Sequence, residues 1–395
     1  MKVAVIGGCG HVGLPLALAL VARGHHVDVL DIDAAAIARI QAGEMPFMEQ
    51  DGAELLRQAL DSGRFRCHLD PACLADAEAV ILITGTPVDE YMNPRQTLVF
   101  KVLDPCLPHF RDGQTLILRS TLYPGMTERV ARYLAGHRLN LHVAFCPERV
   151  AEGRAIREMC SLPQIIAALS TEGREVSARL FATLTPTLIH LEPLEAELTK
   201  LFSNVYRYIH FAIPNQFYMI CREHGVDYEK VHHALTFEYP RAAHLPKPGL
   251  TAGPCLLKDT MQLAAFQNLQ FPLGQAASHI HEGMPNFLIQ ILRRKLDLAN
   301  LNAGLLGVAF KADSDDVRSS LGGKLRKLLA LECRAVRATD PFVKDPSLVD
   351  AAEVIRESDF LVLGTPHRCY RELDLQGKPV LDMWQFYPAG TVNTI

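Results

Sequence analysis

Short apolar runs alternate with helical patterns along the first portion of the chain. Runs rich in β-branched residues predict five strands, at Lys2 to Ile6, His26 to Leu30, Ala79 to Ile83, Thr115 to Leu118 and Leu141 to Phe145. Strands that alternate with helices pair in parallel, and the helices cover both faces of the sheet. The amino-terminal region is therefore predicted to be a doubly wound α/β domain.

A longer helical pattern follows, from about Leu194 to Glu223. Its apolar residues recur at helical spacing, at Leu198, Leu201, Phe202, Val205, Tyr208 and Ile209. This spacing predicts one long spine helix between two domains, and Pro214 is expected to kink it.

A second alternating region begins near Asn286. Strands are predicted at Gly304 to Ala309, Ala335 to Thr339, Phe360 to Leu363 and Pro379 to Leu381. Residues 83–87 (ITGTP) and 362–366 (VLGTP) both follow an apolar strand, which is consistent with two related domains. The predicted fold is α/β: two Rossmann-like doubly wound parallel-sheet domains, 1–190 and 286–395, joined by a central helical region, 191–285.

The first predicted strand leads into a glycine-rich loop and then an apolar helix. The loop reads Gly8-Cys9-Gly10-His11-Val12-Gly13, and Asp31 ends the next strand. Glycines let the backbone approach a pyrophosphate, helix amides can bind its oxygens, and the carboxylate can bind ribose hydroxyls. Because Asp31 would repel a 2′-phosphate, we predict NAD rather than NADP; the alternative is a structural glycine turn. Thr86, just after a strand end, is expected either to line this cleft or to be an ordinary turn hydroxyl.

Composition narrows the range of partners. A formal net charge of −4 over 395 residues gives no reason to expect nucleic acid. Ten cysteines without CxxC pairs indicate reduced thiols in the cytoplasm. Glycines interrupt the apolar segment from Val3 to Ala22, which argues against a signal peptide or membrane span. The closest histidine clusters, His232-His233 and His279-Ile280-His281, lack the spacing of metal ligands, so no metal is expected.

Polar residues on apolar elements mark candidate chemistry. Lys200 and Asn204 share one helix face, and Asn215 lies near the same stripe; the alternative to a buried site is a solvated face. Glu148 and Glu152 follow a strand end, where a parallel sheet places its active site. If their segment is helical, like-charge repulsion would raise one pKa and favour a base, whereas surface acids are the alternative.

Cys255 lies in a loop of glycine and proline, residues 249–259, that leads into a predicted helix. A thiol near a helix N-terminus and near Lys258 is expected to have a lowered pKa and to be a better nucleophile. The alternative is a small buried hydrophobic residue.

Taken in order, these segments resemble the UDP-glucose/GDP-mannose dehydrogenase family from Met1 to about Trp384. The matching segments are the glycine loop with Asp31, Thr86-Pro87, Ser120-Thr121, Pro147-Glu148 through Glu152-Gly153, Lys200 with Asn204, Gly253 to Asp259, and Phe310-Lys311 through Arg318-Ser319-Ser320. The resemblance implies four-electron oxidation of a nucleotide-diphospho-hexose at C6, with two NAD molecules consumed per sugar.

The same resemblance implies covalent catalysis. Cys255 is expected to add to an aldehyde and form a thiohemiacetal, which a second hydride loss converts to a thioester. Lys200 and Asn204 are expected to stabilise the oxyanion of the Cys-bound intermediate.

Hydrolysis of the thioester then releases the uronate. The resemblance implies that Asp259 and Thr121 hold the water molecule and that Glu152 is the base.

Binding roles also follow from the resemblance. Beyond the glycine loop, Asp31 and Thr86, cofactor contacts are expected at Thr121, Lys258 and Arg318. Contacts to the nucleotide sugar are expected at Glu148, Arg149, Glu152, Lys200, Asn204, Gly253, Phe310 and Lys311. Arg241 resembles the arginine that reaches the sugar of the partner subunit in a homodimer with a central dimerisation region.

Several positions depart from the family pattern, among them Leu257 in place of a frequent proline and Gln216 in place of a common glutamate. These departures affect the expected nucleotide and sugar more than the reaction type. The alternatives are a two-electron β-hydroxyacid dehydrogenase, which needs no cysteine loop, and a non-catalytic NAD-binding scaffold.

Overall fold

The chain divides into two structural units. The computed structural model describes residues 1–250, 253, 255–388 and 390–395. The first unit comprises Met1–Ser203 with Met261–Phe266, and the second comprises Asn204–Thr260 with Gln267–Ile395. Thr251, Ala252 and Pro254 of the predicted cysteine loop lie outside the described residues.

An eight-stranded sheet forms the core of the first unit. Its strands are β1 (Lys2–Ile6), β2 (His26–Leu30), β3 (Phe65–His68), β4 (Ala79–Leu82), β5 (Thr115–Leu118), β6 (His142–Phe145), β7 (Gln164–Ala168) and β8 (Leu188–Leu191). The order is β3-β2-β1-β4-β5-β6-β7-β8, and every pair is parallel except β6 with β7. The doubly wound fold is confirmed, but β3, β7 and β8 were not predicted, and β4 and β6 are each one residue shorter than predicted.

Helices of the first unit cover the sheet. They are α1 (Gly13–Ala22), α2 (Ala34–Gln41), α3 (Gly52–Asp61), α4 (Leu98–Leu103), α5 (Met126–Gly136), α6 (Ala155–Ser161) and α7 (Thr171–Phe181), with 3-10 helices at Pro71–Asp76 and Asp104–His109. The residues of α1 from Gly13 to Val21 are all buried, because this helix is apolar on every side. Burial of α1 fixes the end of the glycine loop against the core.

The predicted spine helix is present as α8 (Pro193–Glu223), and the boundary between the two units falls within it. It continues through Pro214, so the proline does not end the helix. The following helices are α9 (Tyr228–Thr236), α10 (Leu256–Phe266) and α11 (Pro272–Lys295). Lys200, Asn204 and Asn215 are all buried, so the solvated-face alternative is wrong for this stripe.

A five-stranded parallel sheet forms the core of the second unit. Its strands are β9 (Asn302–Leu306), β10 (Ala335–Thr339), β11 (Phe360–Leu363), β12 (Pro379–Leu381) and β13 (Asn393–Thr394), in the order β10-β9-β11-β12-β13. The helices are α12 (Leu321–Glu332) and α13 (Ala351–Glu357), with 3-10 helices at Leu298–Asn300 and Arg368–Glu372. Strand β9 ends three residues earlier than predicted, because Gly307 turns the chain with a φ of +90°.

The two units repeat the same turn after their first strand. Gly7 donates its amide to the last residue of β2 at 2.8 Å, and Gly307 donates to the last residue of β10 at 2.8 Å. Asp31 and Asp340 each follow that second strand and accept backbone amides of the turn, at 2.9 Å and 2.8 Å respectively. This correspondence supports two related α/β domains.

No helix among the described residues is both long enough and apolar enough to cross a bilayer.

Candidate active site

The glycine loop follows β1 and has different requirements at each glycine. Gly7 has a φ of +73°, and a Cβ there would lie 1.9 Å from the Ile83 carbonyl oxygen. A Cβ on Gly13 would lie 2.5 Å from the Cα of Gly8. By contrast, a Cβ on Gly10 would meet nothing within 4 Å. Gly7 and Gly13 therefore serve the fold, whereas Gly10 leaves open space of the kind that a pyrophosphate needs next to the backbone.

The surrounding groups also fit a dinucleotide. Val12, which precedes α1 in the fully described amino-terminal segment, provides no side-chain cap for the first helical turn. In this turn the Leu14 amide donates to the Gly10 carbonyl at 3.0 Å and Pro15 has no N–H, so the Gly13 amide is the one suited to binding a phosphate oxygen. The Asp31 carboxylate accepts the Cys9 amide at 2.9 Å and the Asp33 amide at 3.1 Å. Each carboxylate oxygen can accept more than one bond, so this fixed group can still bind ribose hydroxyls.

A serine joins the ends of β4 and β5. The Ser120 hydroxyl donates to the Thr84 carbonyl at 2.7 Å and accepts the Thr84 amide at 2.8 Å. This bridge ties together the segments that carry Thr86 and Thr121, both of which are half-buried at the carboxyl edge of the sheet. Ligands of open α/β sheets bind at this edge, which is where the cofactor residues were predicted.

Glu148 is part of a buried ion pair. The segment after β6 is not helical, so the helical pairing of Glu148 with Glu152 considered from the sequence is wrong. Arg119, 1% exposed, donates to the Glu148 carboxylate and to the Cys146 carbonyl, the latter at 3.0 Å. The other Glu148 oxygen accepts the amides of the next two residues, at 2.6 Å and 2.8 Å. These contacts indicate a structural role and do not favour Glu148 as a base or as a substrate ligand.

Glu152 contacts the glycine loop. Its Oε1 lies 3.1 Å from Nε2 of His11, and the His11 ring stacks on Phe47 with ring centres 4.1 Å apart. No motif in the sequence points to Phe47, which lies in a segment without regular structure between α2 and α3. Nearby, the Arg149 side chain donates to the Pro163 carbonyl.

In the second unit, Cys255 directly precedes α10. Its carbonyl accepts the Asp259 amide at 2.9 Å, the first helical bond, and its thiol is exposed. The alternative of a buried hydrophobic cysteine is therefore wrong. Burial raises the pKa of the Cys106 thiol to about 11 and that of the Cys146 thiol to about 12. All ten cysteines lie within the described residues, and Cys369 is the other exposed one.

Asp259 lies one turn into α10 and is fully buried. Its Oδ2 accepts a hydrogen bond from the side-chain Nδ2 of Asn204 at 2.5 Å, and its Oδ1 lies 3.5 Å from Nζ of Lys258. Oδ1 accepts no hydrogen bond from any described residue. A buried carboxylate oxygen normally has a hydrogen-bond partner, so this position suits a water molecule or substrate hydroxyl.

Asn215 anchors the start of the cysteine loop. Its amide group donates to the Gly249 carbonyl at 3.0 Å and accepts the Gly249 amide at 2.9 Å. A Cβ on Gly249 would lie 2.1 Å from the Trp384 ring, so glycine is required there. His281 is fully buried, with Nε2 2.8 Å from the Tyr208 carbonyl oxygen, which explains this histidine without a metal. Within the described residues, no group of three or more metal-ligating side chains converges.

The carboxyl-terminal motif contacts the cysteine loop through Phe310. A Cβ on Gly253, whose φ is +113°, would lie 2.9 Å from the Phe310 ring. Lys311 Nζ lies 5.8 Å from the centre of that ring. Arg318 donates to the Asp316 carboxylate through Nε and Nη2, at 2.9 Å and 2.6 Å. The structure thus brings Gly253 and Phe310 together, two residues that are expected from the sequence to contact the nucleotide sugar.

Sequence models of one family match most of the chain. The UDP-glucose/GDP-mannose dehydrogenase family matches through its NAD binding domain at residues 1–185, its central domain at 194–282 and its UDP binding domain at 304–389.

Named relatives and solved structures agree with this match. The UDP-N-acetyl-D-mannosamine dehydrogenase of Pyrococcus horikoshii is 29% identical, over 95% of this chain and 91% of that protein. The structure of a UDP-glucose dehydrogenase from Pyrobaculum islandicum superposes with a TM-score of 0.89 at 26% identity, covering 98% of this chain and 96% of that one. The structure of the UDP-D-ManNAc dehydrogenase from P. horikoshii gives 0.91 at 25% identity, covering 100% and 99%.

Proposed function

Because the chain belongs to the UDP-glucose/GDP-mannose dehydrogenase family, we propose that it oxidises the C6 hydroxyl of a nucleotide-diphospho-hexose to a carboxylate. The observation that carries this proposal is the exposed thiol of Cys255 at the start of α10, with the buried carboxylate of Asp259 one turn further on. A two-electron alcohol dehydrogenase needs neither group. NAD, when bound, would accept one hydride in each of two oxidations.

The sulfur of Cys255 supplies covalent chemistry between the two oxidations. As a thiolate it adds to the C6 aldehyde and gives a thiohemiacetal, and removal of the C6 hydride from that adduct gives a thioester. The position at a helix N-terminus favours the thiolate, since the helix dipole stabilises negative charge there. Capture of the aldehyde on sulfur explains how a four-electron oxidation proceeds without release of a reactive intermediate.

Lys200 and Asn204 act where negative charge develops on the C6 oxygen. Both side chains are buried, and the Asn204 amide is oriented by its bond to Asp259. A fixed donor of this kind contributes about 3–4 kcal/mol to stabilisation of an oxyanion. Asp259 and Thr121 hold the water molecule, and Glu152 takes its proton during hydrolysis of the thioester.

The proposed substrate is a UDP-linked hexose, with UDP-N-acetyl-D-mannosamine as the first compound to assay. Relatives named for that substrate align over nearly the whole chain, and the UDP binding domain matches residues 304–389. We retain the division into 1–190 for NAD, 191–285 for dimerisation and 286–395 for the nucleotide sugar. We also retain a cytoplasmic location, where free thiols stay reduced.

A homodimer is part of the proposal. In the second unit, α8 exposes large apolar side chains along one stripe, at Tyr206, Ile213, Phe217 and Ile220. Exposed apolar stripes of this length mark protein interfaces, and the family resemblance selects a second copy of this chain as the occupant. Arg241 is exposed, with its Cζ 4.4 Å from the centre of the Tyr239 ring, and we propose that it reaches the partner's sugar.

The test is Cys255→Ser with Cys369→Ser as the matched control, since both thiols are exposed. UDP-N-acetyl-D-mannosamine, UDP-glucose and GDP-mannose are each assayed for NADH yield and for uronate. The unaltered protein and C369S are expected to give two NADH per sugar, whereas C255S gives no acid. One NADH per sugar in an undiminished C255S would favour a two-electron dehydrogenase, and no NADH with any sugar would favour a binding scaffold.

A further inference from the structure

His11 lies inside the glycine loop, yet its side chain makes two directed contacts outside that loop. The ring stacks on Phe47 with centres 4.1 Å apart and planes 21° apart. Its Nε2 lies 3.1 Å from Oε1 of Glu152. Both side chains are partly buried, 30% exposed for the histidine and 19% for the glutamate. Stacking on Phe47 restricts the orientation of the His11 ring, and the His11 ring in turn restricts the position of Oε1 of Glu152.

The backbone on both sides of Glu152 is held separately. The Ala151 amide donates to the Glu158 carboxylate at 2.6 Å, and the Gly153 carbonyl accepts the Gln50 amide at 3.1 Å. Gly153 also has a φ of +80°, which a glycine adopts without strain. With the backbone fixed by these bonds, the contact with His11 acts on the orientation of the Glu152 side chain.

We propose that His11 is a positioning residue that holds the Glu152 carboxylate in place as the base of thioester hydrolysis. This inference rests on the proposed function. In that step the water oxygen attacks the thioester carbonyl carbon, the carbon–sulfur bond breaks, sulfur leaves as the thiolate, and the water proton passes to Glu152. No electrons are exchanged with a redox partner. The contact brings a ring nitrogen within ion-pair distance of a carboxylate oxygen, and it holds Glu152 when Nε2 carries a hydrogen.

The two contacts of His11 can be separated by substitution. His11→Phe keeps an aromatic ring to stack on Phe47 but removes the ring nitrogen that lies 3.1 Å from Glu152. His11→Gln keeps a donor at similar reach but removes the ring. Since a positioned base contributes roughly 100-fold or more to a rate, loss of its orientation is expected to slow hydrolysis by about 10–100-fold in H11F. In H11Q we expect a loss of no more than about 5-fold, because the donor is retained.

The experiment follows the covalent intermediate directly. Enzyme is mixed rapidly with saturating NAD and the nucleotide sugar that gives the highest NADH yield, and acid-quenched samples are weighed by intact-protein mass spectrometry. H11F is expected to give a burst of two NADH per site, slow turnover and a uronyl adduct on Cys255. The unaltered protein and H11Q are expected to show little adduct. Glu152→Gln should accumulate the same adduct, and H11F/E152Q should be no slower than E152Q.

A merely structural role would give a different result. If H11F raised the KM for NAD without accumulating adduct, or behaved like the unaltered protein, the inference would be overturned. Adduct in E152Q but not in H11F would reject His11 alone, whereas full activity in C255S would reject the proposed function. Should H11F fail to fold, Phe47→Leu removes the stacking partner instead, and it must then slow the same step or the inference fails.

Discussion

The buried pair of Arg119 and Glu148 allows structure and chemistry to be separated at the carboxyl edge of the first sheet. The proposed perturbation is Glu148→Gln, which preserves the size of the side chain and an acceptor for the backbone amides. It removes the negative charge facing a guanidinium that is 1% exposed. The substitution therefore leaves a positive charge buried without its counter-ion.

The expected loss of stability can be worked from these contacts. Breaking a buried ion pair by removing one partner costs about 3–5 kcal/mol. The lower end applies to E148Q, since the two backbone bonds at 2.6 Å and 2.8 Å survive. Replacing both charges, in Arg119→Met with Glu148→Leu, should recover part of the loss. Recovery is incomplete because the Cys146 carbonyl and the Gln164 side chain, each 3.0 Å from the guanidinium, lose their donor, and the two backbone amides that donate to Glu148 lose their acceptor.

Thermal and urea unfolding of the full chain measure this effect. A loss of about 3 kcal/mol should lower the midpoint followed by far-UV circular dichroism by roughly 6–12 °C. Fluorescence of Trp384, the one tryptophan of the sequence, reports on the second unit in the same samples. The matched control is Asp51→Asn, which breaks an exposed pair with Arg157 and should cost under about 1 kcal/mol. If E148Q kept its stability but lost all activity, Glu148 would be chemical and the structural assignment would be refuted.

Three further predictions follow from the geometry. Gly10→Ala should keep the stability of the fold but weaken NAD binding about 10-fold or more in fluorescence titration, whereas Gly13→Ala should destabilise the fold, because its methyl group would meet the Gly8 Cα at 2.5 Å. Burial alone would raise the pKa of Asp340. The hydrogen bond and the charge of His367, together with hydrogen bonds from two backbone amides, instead hold this pKa below its usual 3.8. Asp340→Asn should therefore lower the free energy of unfolding by about 1–3 kcal/mol near neutral pH, measured by Trp384 fluorescence. The difference in stability from the unaltered protein should vanish as the pH falls through the lowered pKa. Asp345→Asn, at an exposed position, is the control. Phe217→Glu, which puts a charge on the apolar stripe of α8, should shift the sedimentation of a dimer to that of a monomer, with Glu229→Lys on α9 as an exposed control.

Periodicity was sufficient to predict the strands whose sequences are mostly apolar. Strands β1, β2, β5, β10, β11 and β12 have the predicted bounds because their residues are mostly apolar. Strand β3 (Phe65–His68) was not predicted, since arginine and histidine interrupt its pattern, and β8 (Leu188–Leu191) has its middle residues exposed at the edge of the sheet. The antiparallel pairing of β7 depends on the path of the chain between strands, which local periodicity does not encode.

In the candidate site, too, the sequence predicted single residues but not the contacts between residues that are distant in the chain. The glycine motif predicted Gly10 and Asp31 as cofactor ligands, and the Gly/Pro loop together with the family resemblance predicted Cys255 as the nucleophile. Each of these predictions depends on the type of one residue at one place on a turn or helix end. Pairings such as His11 with Glu152 join distant parts of the sequence, and no local pattern specifies them. The same limit explains why the sequence left open whether a helix pairs Glu148 with Glu152, whereas the structure gives each glutamate its own partner.

That division of partners predicts opposite consequences for two glutamates only four residues apart. Glu148 accepts from a buried guanidinium and from two amides, so its neutral variant should unfold more easily while the folded fraction retains its rate. Glu152 is 19% exposed and contacts a partly exposed histidine, so E152Q should keep its free energy of unfolding within about 1 kcal/mol yet accumulate the covalent adduct. The unfolding free energy and the accumulation of adduct should be measured for both E148Q and E152Q. If either variant changed stability and thioester hydrolysis together, the structural role of Glu148 and the chemical role of Glu152 would not be separate.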